Sequence, residues 1–324
     1  MKKILTMLLV CMLFIIVGCT EKETTNKSND SSATKTIGIA IYSMSADSCV
    51  ALVDEANKKA EKYGYKIELL DANGDPATQA DQMATFISEK VDGIILNPTD
   101  TTTLKPSIES AKEVGIPVIA VGMEMDDICM SLVDSFAGMD DYMVAESGFK
   151  WIKDHFEGQN AEVALLTGTV GTDPTNKTIK AMHDVLDGSD LIQVGEFDAD
   201  WDTAKAMAIT EDLLVKNKNI KCIFSQDHVI GAGIAAAIED AGRTGEITVV
   251  STSGMTDYLS YVEDGSWEAA DLILLYKAGG YAVELLNEIF NGNEVASKYY
   301  ASPIMVTVDN VKDAYNADFE FVAQ

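Results

Sequence analysis

Short apolar runs alternate with longer amphipathic stretches along most of this chain, and the alternation predicts its elements. Residues 36–42 form a continuous apolar run of strand length, as expected of a parallel strand covered on both faces. Residues 49–63 follow as a helix, with Val53, Ala56, Ala60 and Tyr63 at spacings of three and four on one face and Gly64 after its end. The same plan gives strands at 66–71, 93–96 and 117–121 and helices at 76–89 and 104–113. Connections this short between alternating strands and helices imply right-handed βαβ crossovers in a doubly wound sheet.

The rhythm breaks after Gly122. A weaker strand is predicted at 128–133, and residues 135–141 read as a small acidic connector. Alternation then resumes, with helices at 142–156, 175–186 and 204–216 and strands at 162–166, 193–197, 222–225 and 248–251. An apolar stretch at 267–275 predicts a strand near a return crossing, followed by a helix over 277–291 and a last strand at 304–307. The fold class is therefore α/β, with two doubly wound domains. The expected boundaries are 36–137 plus 275–304 for the first domain and 138–274 plus 305–324 for the second. No short sequence repeat is visible; the doubling is one of architecture.

The amino terminus stands apart from this pattern. Lys2 and Lys3 precede an apolar run over residues 4–17, the length of a signal-peptide core and short for a membrane span. Ile16-Val17-Gly18-Cys19 resembles a bacterial lipobox, which implies a signal peptide over 1–18 and lipidation of Cys19. Residues 19–35 then read as a lipid-anchored, disordered tether rich in Thr, Ser, Asn, Lys and Glu.

Composition narrows the partners. Fifty-two acidic residues against 24 basic ones give a net charge of −28, which disfavours nucleic acid and anionic lipid. Arg243 is the only arginine. Beyond the export segment, Cys49, Cys129 and Cys222 are an odd number without zinc-like spacing.

Catalytic signals are weak. Gly231-Ala-Gly233-Ile-Ala-Ala236 matches a dinucleotide fingerprint, but the preceding strand ends near Ser225, so these glycines are expected inside a helix as packing residues. Gly168 to Gly171 precedes a helix without the lysine of a phosphate-binding loop. No nucleophile elbow or metal spacing accompanies His155, His183 or His228. The expectation is a non-enzyme with no cofactor and no metal. Two turns carry more information. In Gln226-Asp227-His228, the carboxylate is either a helix cap or a ligand contact. In Asp198-Ala-Asp200-Trp201-Asp202, an aromatic at a strand's carboxyl end can stack on a ligand's flat face.

The order and spacing of several stretches resemble type I periplasmic binding proteins, in the ribose/galactose-binding branch of ABC importer solute-binding proteins. They are residues 36–42, 60–65, Val91-Asp-Gly-Ile-Ile-Leu-Asn-Pro-Thr-Asp100, Val114-Gly-Ile-Pro-Val-Ile119, Phe224-Ser-Gln-Asp227 and Val306-Thr-Val-Asp-Asn-Val311. The resemblance covers residues 36–315. It implies two domains joined by a hinge of three crossover strands, ligand in the cleft, and a closed form that docks on an ABC permease. Many of the family's sugar contacts differ here. The aromatic pair after the first strand falls on Ser48 and Cys49, the Asp-Arg pair on Gly122 and Met123, and a later arginine near Asn176 or Thr178. The stacking aromatic is kept in type as Trp201, an amide becomes Asp227, an aspartate falls on Ser253, and a late glutamine near Ile273. Ser45 and Asp47 are further polar candidates.

With no arginine fork to grip a carboxylate or phosphate, the expected partner is a small neutral polar ligand, a sugar or polyol. A nucleoside or a small amine, and a sensory role beside a membrane kinase or chemoreceptor, are the alternatives. The protein is expected to be a monomer, lipid-anchored through Cys19 on the outer face of the cytoplasmic membrane.

Overall fold

The computed structural model describes residues 34–324. The expected signal peptide, Cys19 and all but the last two residues of the tether lie outside the described residues.

The first lobe winds β1 (Thr36–Ile41), α1 (Asp47–Tyr63), β2 (Lys66–Asp71), α2 (Pro76–Glu89), β3 (Gly93–Leu96), α3 (Lys105–Glu113), β4 (Val118–Gly122), α4 (Asp127–Met130) and β5 (Ser135–Gly138). The second lobe opens with α5 (Asp141–His155), β6 (Glu162–Thr167), α6 (Asp173–Leu186), β7 (Ile192–Asp198) and α7 (Thr203–Lys216). It continues through β8 (Ile220–Ser225), α8 (His228–Asp240), β9 (Thr248–Ser253), α9 (Ser260–Glu263) and β10 (Ala269–Leu272). The chain ends with α10 (Ala278–Phe290), β11 (Lys298–Ala301), β12 (Ile304–Thr307), α11 (Val311–Ala314) and β13 (Phe321–Ala323).

The sheets run β13-β11-β5-β4-β3-β1-β2 and β12-β10-β9-β8-β6-β7. Their cores share one order, with the second strand outermost and the first inside it. Each therefore has a point where chain direction across the sheet reverses, between β1 and β3 and between β6 and β8. Ligands bind outside the carboxyl ends of strands at such points. Continuous apolar strands allow this packing: β3 and β5 are buried along their whole length between helices.

The three crossings expected are present, after β5, after β10, and between β11 and β12, and a fourth carries the chain from α11 back to β13. Three sequence expectations need correction. The strand foreseen at 128–133 is α4 followed by a turn, with Asp126 capping it by accepting from the Cys129 N–H at 2.7 Å. The acidic connector foreseen at 135–141 contains β5, whose four small or apolar residues are all buried; their brevity hid them. The tail 305–324, assigned whole to the second domain, divides: β12 pairs with β10 and α11 packs on the second lobe's core, while β13 returns to the first sheet and pairs antiparallel with β11. Phe321 stacks on Tyr281 at 4.4 Å between centroids, an apolar contact that draws the tail back.

The glycines of the dinucleotide-like motif are packing residues. A Cβ on Gly231 would lie 2.5 Å from Ser251 Oγ, and one on Gly233 would lie 2.3 Å from the Thr203 carbonyl. They let α8 lie close on β9 and α7.

Candidate functional site

The loops after the strands meet between the lobes and enclose two adjoining cavities. The first has about 220 Å³ and is lined by Ser48 of the first lobe, by the crossings through Met139, Asp141, Ile273, Leu275 and Tyr276, and by second-lobe residues including Trp201 and Asp227. The second has about 450 Å³, with Asn97, Met123 and Glu124 on one side and Asp173, Pro174 and Lys177 on the other. Met139, Asp141 and Leu275 line both, so the two form one cleft.

The aromatic platform follows β7. Asp200 and Trp201 adopt left-handed backbone angles, with φ of 52° and 57°. A bulky residue rarely takes this conformation. Here Asp198 accepts from the Asp200 N–H at 2.9 Å, Thr169 donates its hydroxyl to Asp200 at 2.6 Å, and Asp202 caps α7 through the Lys205 N–H at 2.7 Å. The turn throws the indole across Gly168, where a Cβ would stand 1.9 Å from Trp201 Cε2. Only a residue without a side chain fits beneath the ring. Trp201 remains 41% exposed, with an open face toward the cleft.

The turn after β8 supplies the polar end. Gln226 is buried, and its Oε1 accepts from the Gly168 N–H at 2.9 Å and the Thr175 hydroxyl at 3.2 Å. Those donors fix the amide's orientation and leave Nε2 as a hydrogen-bond donor at the cavity wall. Asp227 is a helix cap whose side chain also lines the cavity. Oδ1 caps α8 by accepting from the Val229 N–H at 2.9 Å. Its Oδ2 lies 3.1 Å from His228 Nδ1, and the His228 ring packs on Tyr258 at 4.2 Å.

Across the cleft, Glu124 follows β4. It accepts from the Tyr300 hydroxyl at 2.9 Å and pairs with Lys298, both on β11. Burial opposes its ionisation, but the bonds from Lys298 and Tyr300 outweigh burial and hold its carboxyl below the usual range. Lys177, on α6 of the opposite lobe, lies 3.7 Å from Glu124 and 3.0 Å from Asp173. Glu124–Lys177 is thus an ion pair between the lobes.

Asp141 begins α5 immediately after the first crossing. Burial pushes its carboxyl up to about 6, helped by the charges of Asp140 and Asp173 and opposed by Lys177.

Of the expected ligand positions, Ser48, Thr178, Trp201, Asp227 and Ile273 line the first cavity and Gly122 and Met123 the second. The other five line neither. Ser45 is exposed and its hydroxyl meets Ser43 at 2.8 Å; Asp47 is exposed in the first turn of α1. Cys49 packs into the first lobe's core with Sγ 3.6 Å from Asn97 Oδ1, because Ser48 takes the cleft side of the helix. Asn176 is exposed and bonds the Gly171 carbonyl at 3.4 Å; Thr178, on the inward face with Thr175, lines the cavity instead. Ser253 is buried, donating to the Met255 carbonyl at 2.8 Å, and Thr252, Gly254 and Met255 take the wall.

Sequence reasoning missed Asp141, Glu124, Lys177, Leu275 and Tyr276 as cleft residues. The spacing of Thr175, Thr178 and Met182 along one face of α6 could have chosen Thr178 over Asn176. Nothing local marks the others, which meet only through the crossings.

Comparison with known proteins agrees with this geometry. The chain is 27% identical over 307 residues to the ribose import binding protein of Bacillus subtilis, covering 94% of this chain and 98% of that protein. It is 28% identical over 291 residues to a xylitol-binding protein of Mycolicibacterium smegmatis, covering 86% and 79%. The crystal structure of a periplasmic ribose ABC transporter protein from Conexibacter woesei shares the fold with a TM-score of 0.79 at 20% identity, covering 88% and 95%. The description "Periplasmic binding protein domain" matches residues 37–294, and the chain belongs to that periplasmic binding protein family.

Proposed function

We propose that this chain is an extracytoplasmic solute-binding lipoprotein that captures a small sugar-like or polyol ligand between its lobes and delivers it to an ABC importer permease. The observation that carries the reading is a single cleft walled by both lobes and floored by the crossing segments. A ligand there touches both lobes only when they close, so it shifts the population toward the closed form by its differential affinity. Binding without turnover accords with the family to which the chain belongs. Relatives named for ribose and xylitol support a polyhydroxylated ligand.

Trp201 serves as the stacking platform, with Asp227 and Ser48 as polar contacts and Met123 shaping the cleft. Anchoring through Cys19, with residues 19–35 as the tether, keeps a monomeric protein near its permease. Among the described residues no helix is long and apolar enough to cross a membrane.

A thermal-shift screen of sugars and polyols tests the reading, because a specific ligand stabilises by mass action. Once a ligand is found, Trp201→Ala should weaken it by at least about tenfold, the scale of one lost aromatic contact. Unchanged calorimetric affinity would refute the platform, and a panel with no shift would refute the ligand class.

A further inference from the structure

Within that reading, we propose that the captured sugar or polyol carries a positively charged nitrogen, and that this nitrogen docks on Asp141 where the two cavities meet.

Asp141 is the one charged residue that lines both cavities. Lys177 reaches it only through its field, being engaged by Asp173 at 3.0 Å and Glu124 at 3.7 Å. The first cavity adds a second carboxylate, Asp227, and among the described residues no lysine or arginine lines it. Arg243 is elsewhere, bonded to Glu246 at 3.1 Å.

The surroundings of Asp141 are apolar: Met139, Val144, Leu275 and Tyr276. Closing the cleft removes water from this corner. A neutral polyol would then offer hydroxyl hydrogen bonds but no compensating charge to a buried carboxylate, an expensive arrangement. An ammonium supplies both the charge and the donors, and charge-assisted bonds of this kind are about twice as strong as neutral ones. The open indole face of Trp201 favours a cation as well. Gln226 completes the chemistry. It is 7% exposed, and with its Oε1 held by Gly168 and Thr175 its Nε2 is left as the donor at the wall. The ligand class that meets an anion, an aromatic face and an amide donor is an amino sugar or amino polyol.

Proton linkage follows. The charged groups around Asp141 are Asp140, Asp173 and Lys177 on or beside α5 and α6, Glu124 after β4, and Asp227 with His228 after β8. With its carboxyl at about 6 in the empty cleft, Asp141 is partly protonated near that pH, and a bound cation drives the proton off.

The test uses the full chain and matched probes: D-glucose against D-glucosamine, D-ribose against its 2-amino analogue, an alditol against its amino form, and ethanolamine as an amine without a polyol frame. Thermal shift and calorimetry are read at pH 7.5 and 5.0, in two buffers of different ionisation heat. We expect an amino member to bind at least about tenfold tighter than its neutral partner, to lose affinity at pH 5.0 and to release protons there. Asp141→Asn removes that preference, and Asp141→Glu retains it. A neutral partner bound as tightly, or a preference that survives Asp141→Asn, overturns the proposal and leaves the sugar reading standing. Ethanolamine bound as tightly as the amino sugars supports the ammonium subsite and overturns the sugar reading. No response from any probe overturns both. The unliganded melting temperature of Asp141→Asn, expected at or above that of the parent, separates lost binding from lost folding.

Discussion

Removing Lys177 should loosen the cleft before any ligand is present. Lys177 Nζ lies 3.7 Å from Glu124 across the lobes. Two unit charges at that distance attract by roughly 4 kcal/mol at an effective dielectric near 20. The side chains are 30% and 26% exposed, so solvent screening leaves about 1 kcal/mol. That amount shifts a closed-to-open ratio roughly fivefold. The perturbation is Lys177→Ala, with Glu124→Gln and the double variant completing a cycle. The cycle is needed because Lys177 also pairs with Asp173, and Glu124 with Lys298 and Tyr300. Spin-label distances between the lobes, measured without ligand, read the ratio directly. Ligand affinity would confound the measurement, since Lys177 also repels a cation at Asp141. Each single variant should move the distances toward the open form, the double should move them no further than either single, and about 1 M salt should shrink the differences. Unchanged distance distributions, or single effects that simply add, would refute the latch.

Three further outcomes follow from the same geometry. Asp271 is fully buried on β10; burial pushes its carboxyl up to about 8, against the Ser147 hydroxyl and the Gly148 N–H, from an ordinary 3.8. The neutral form is the native one, so the stability it contributes is complete below about pH 3.8 and disappears as pH rises through about 8. Asp271→Asn should therefore gain on the parent by at least about 2 kcal/mol between pH 4 and 8; denaturation curves that stay parallel with pH would rule this out. Gly168→Ala should displace the Trp201 ring, because a Cβ would sit 1.9 Å from Cε2. A red-shifted tryptophan emission and a loss of ligand affinity matching Trp201→Ala are expected, and normal affinity with unchanged emission would show that the ring does not rest there. Cys129 should resist alkylation at pH 8, since burial and the neighbouring Asp126 push its thiol up to about 11; rapid labelling of the native chain would contradict that environment.

The sequence determined the two-lobed α/β plan, because hydrophobic period and turn residues act locally. Continuous runs such as Ile37–Ile41 can only be covered strands, and the helical spacing of Val53, Ala56 and Ala60 commits α1 to a core face. Local chemistry also gave the packing role of Gly231 and Gly233, which follows from where β8 stops, and left Asp227 open between cap and ligand contact. Trp201 was legible because an aromatic just past a strand end has few other uses. Tertiary structure decided which neighbours of each turn face the cleft. A helix rotates by about 100° per residue, so Ser48 and Cys49, or Asn176 and Thr178, part company by phase alone. It also decided the return of β13, since strand pairing joins residues far apart in sequence. The charges that set the cleft's electrostatics come from four distant segments. Asp141, Glu124, Lys177 and Lys298 are ordinary surface residues in the sequence; only the crossings bring them together, and the bonds from Lys298 and Tyr300 then hold the Glu124 carboxyl down while burial pushes that of Asp141 up.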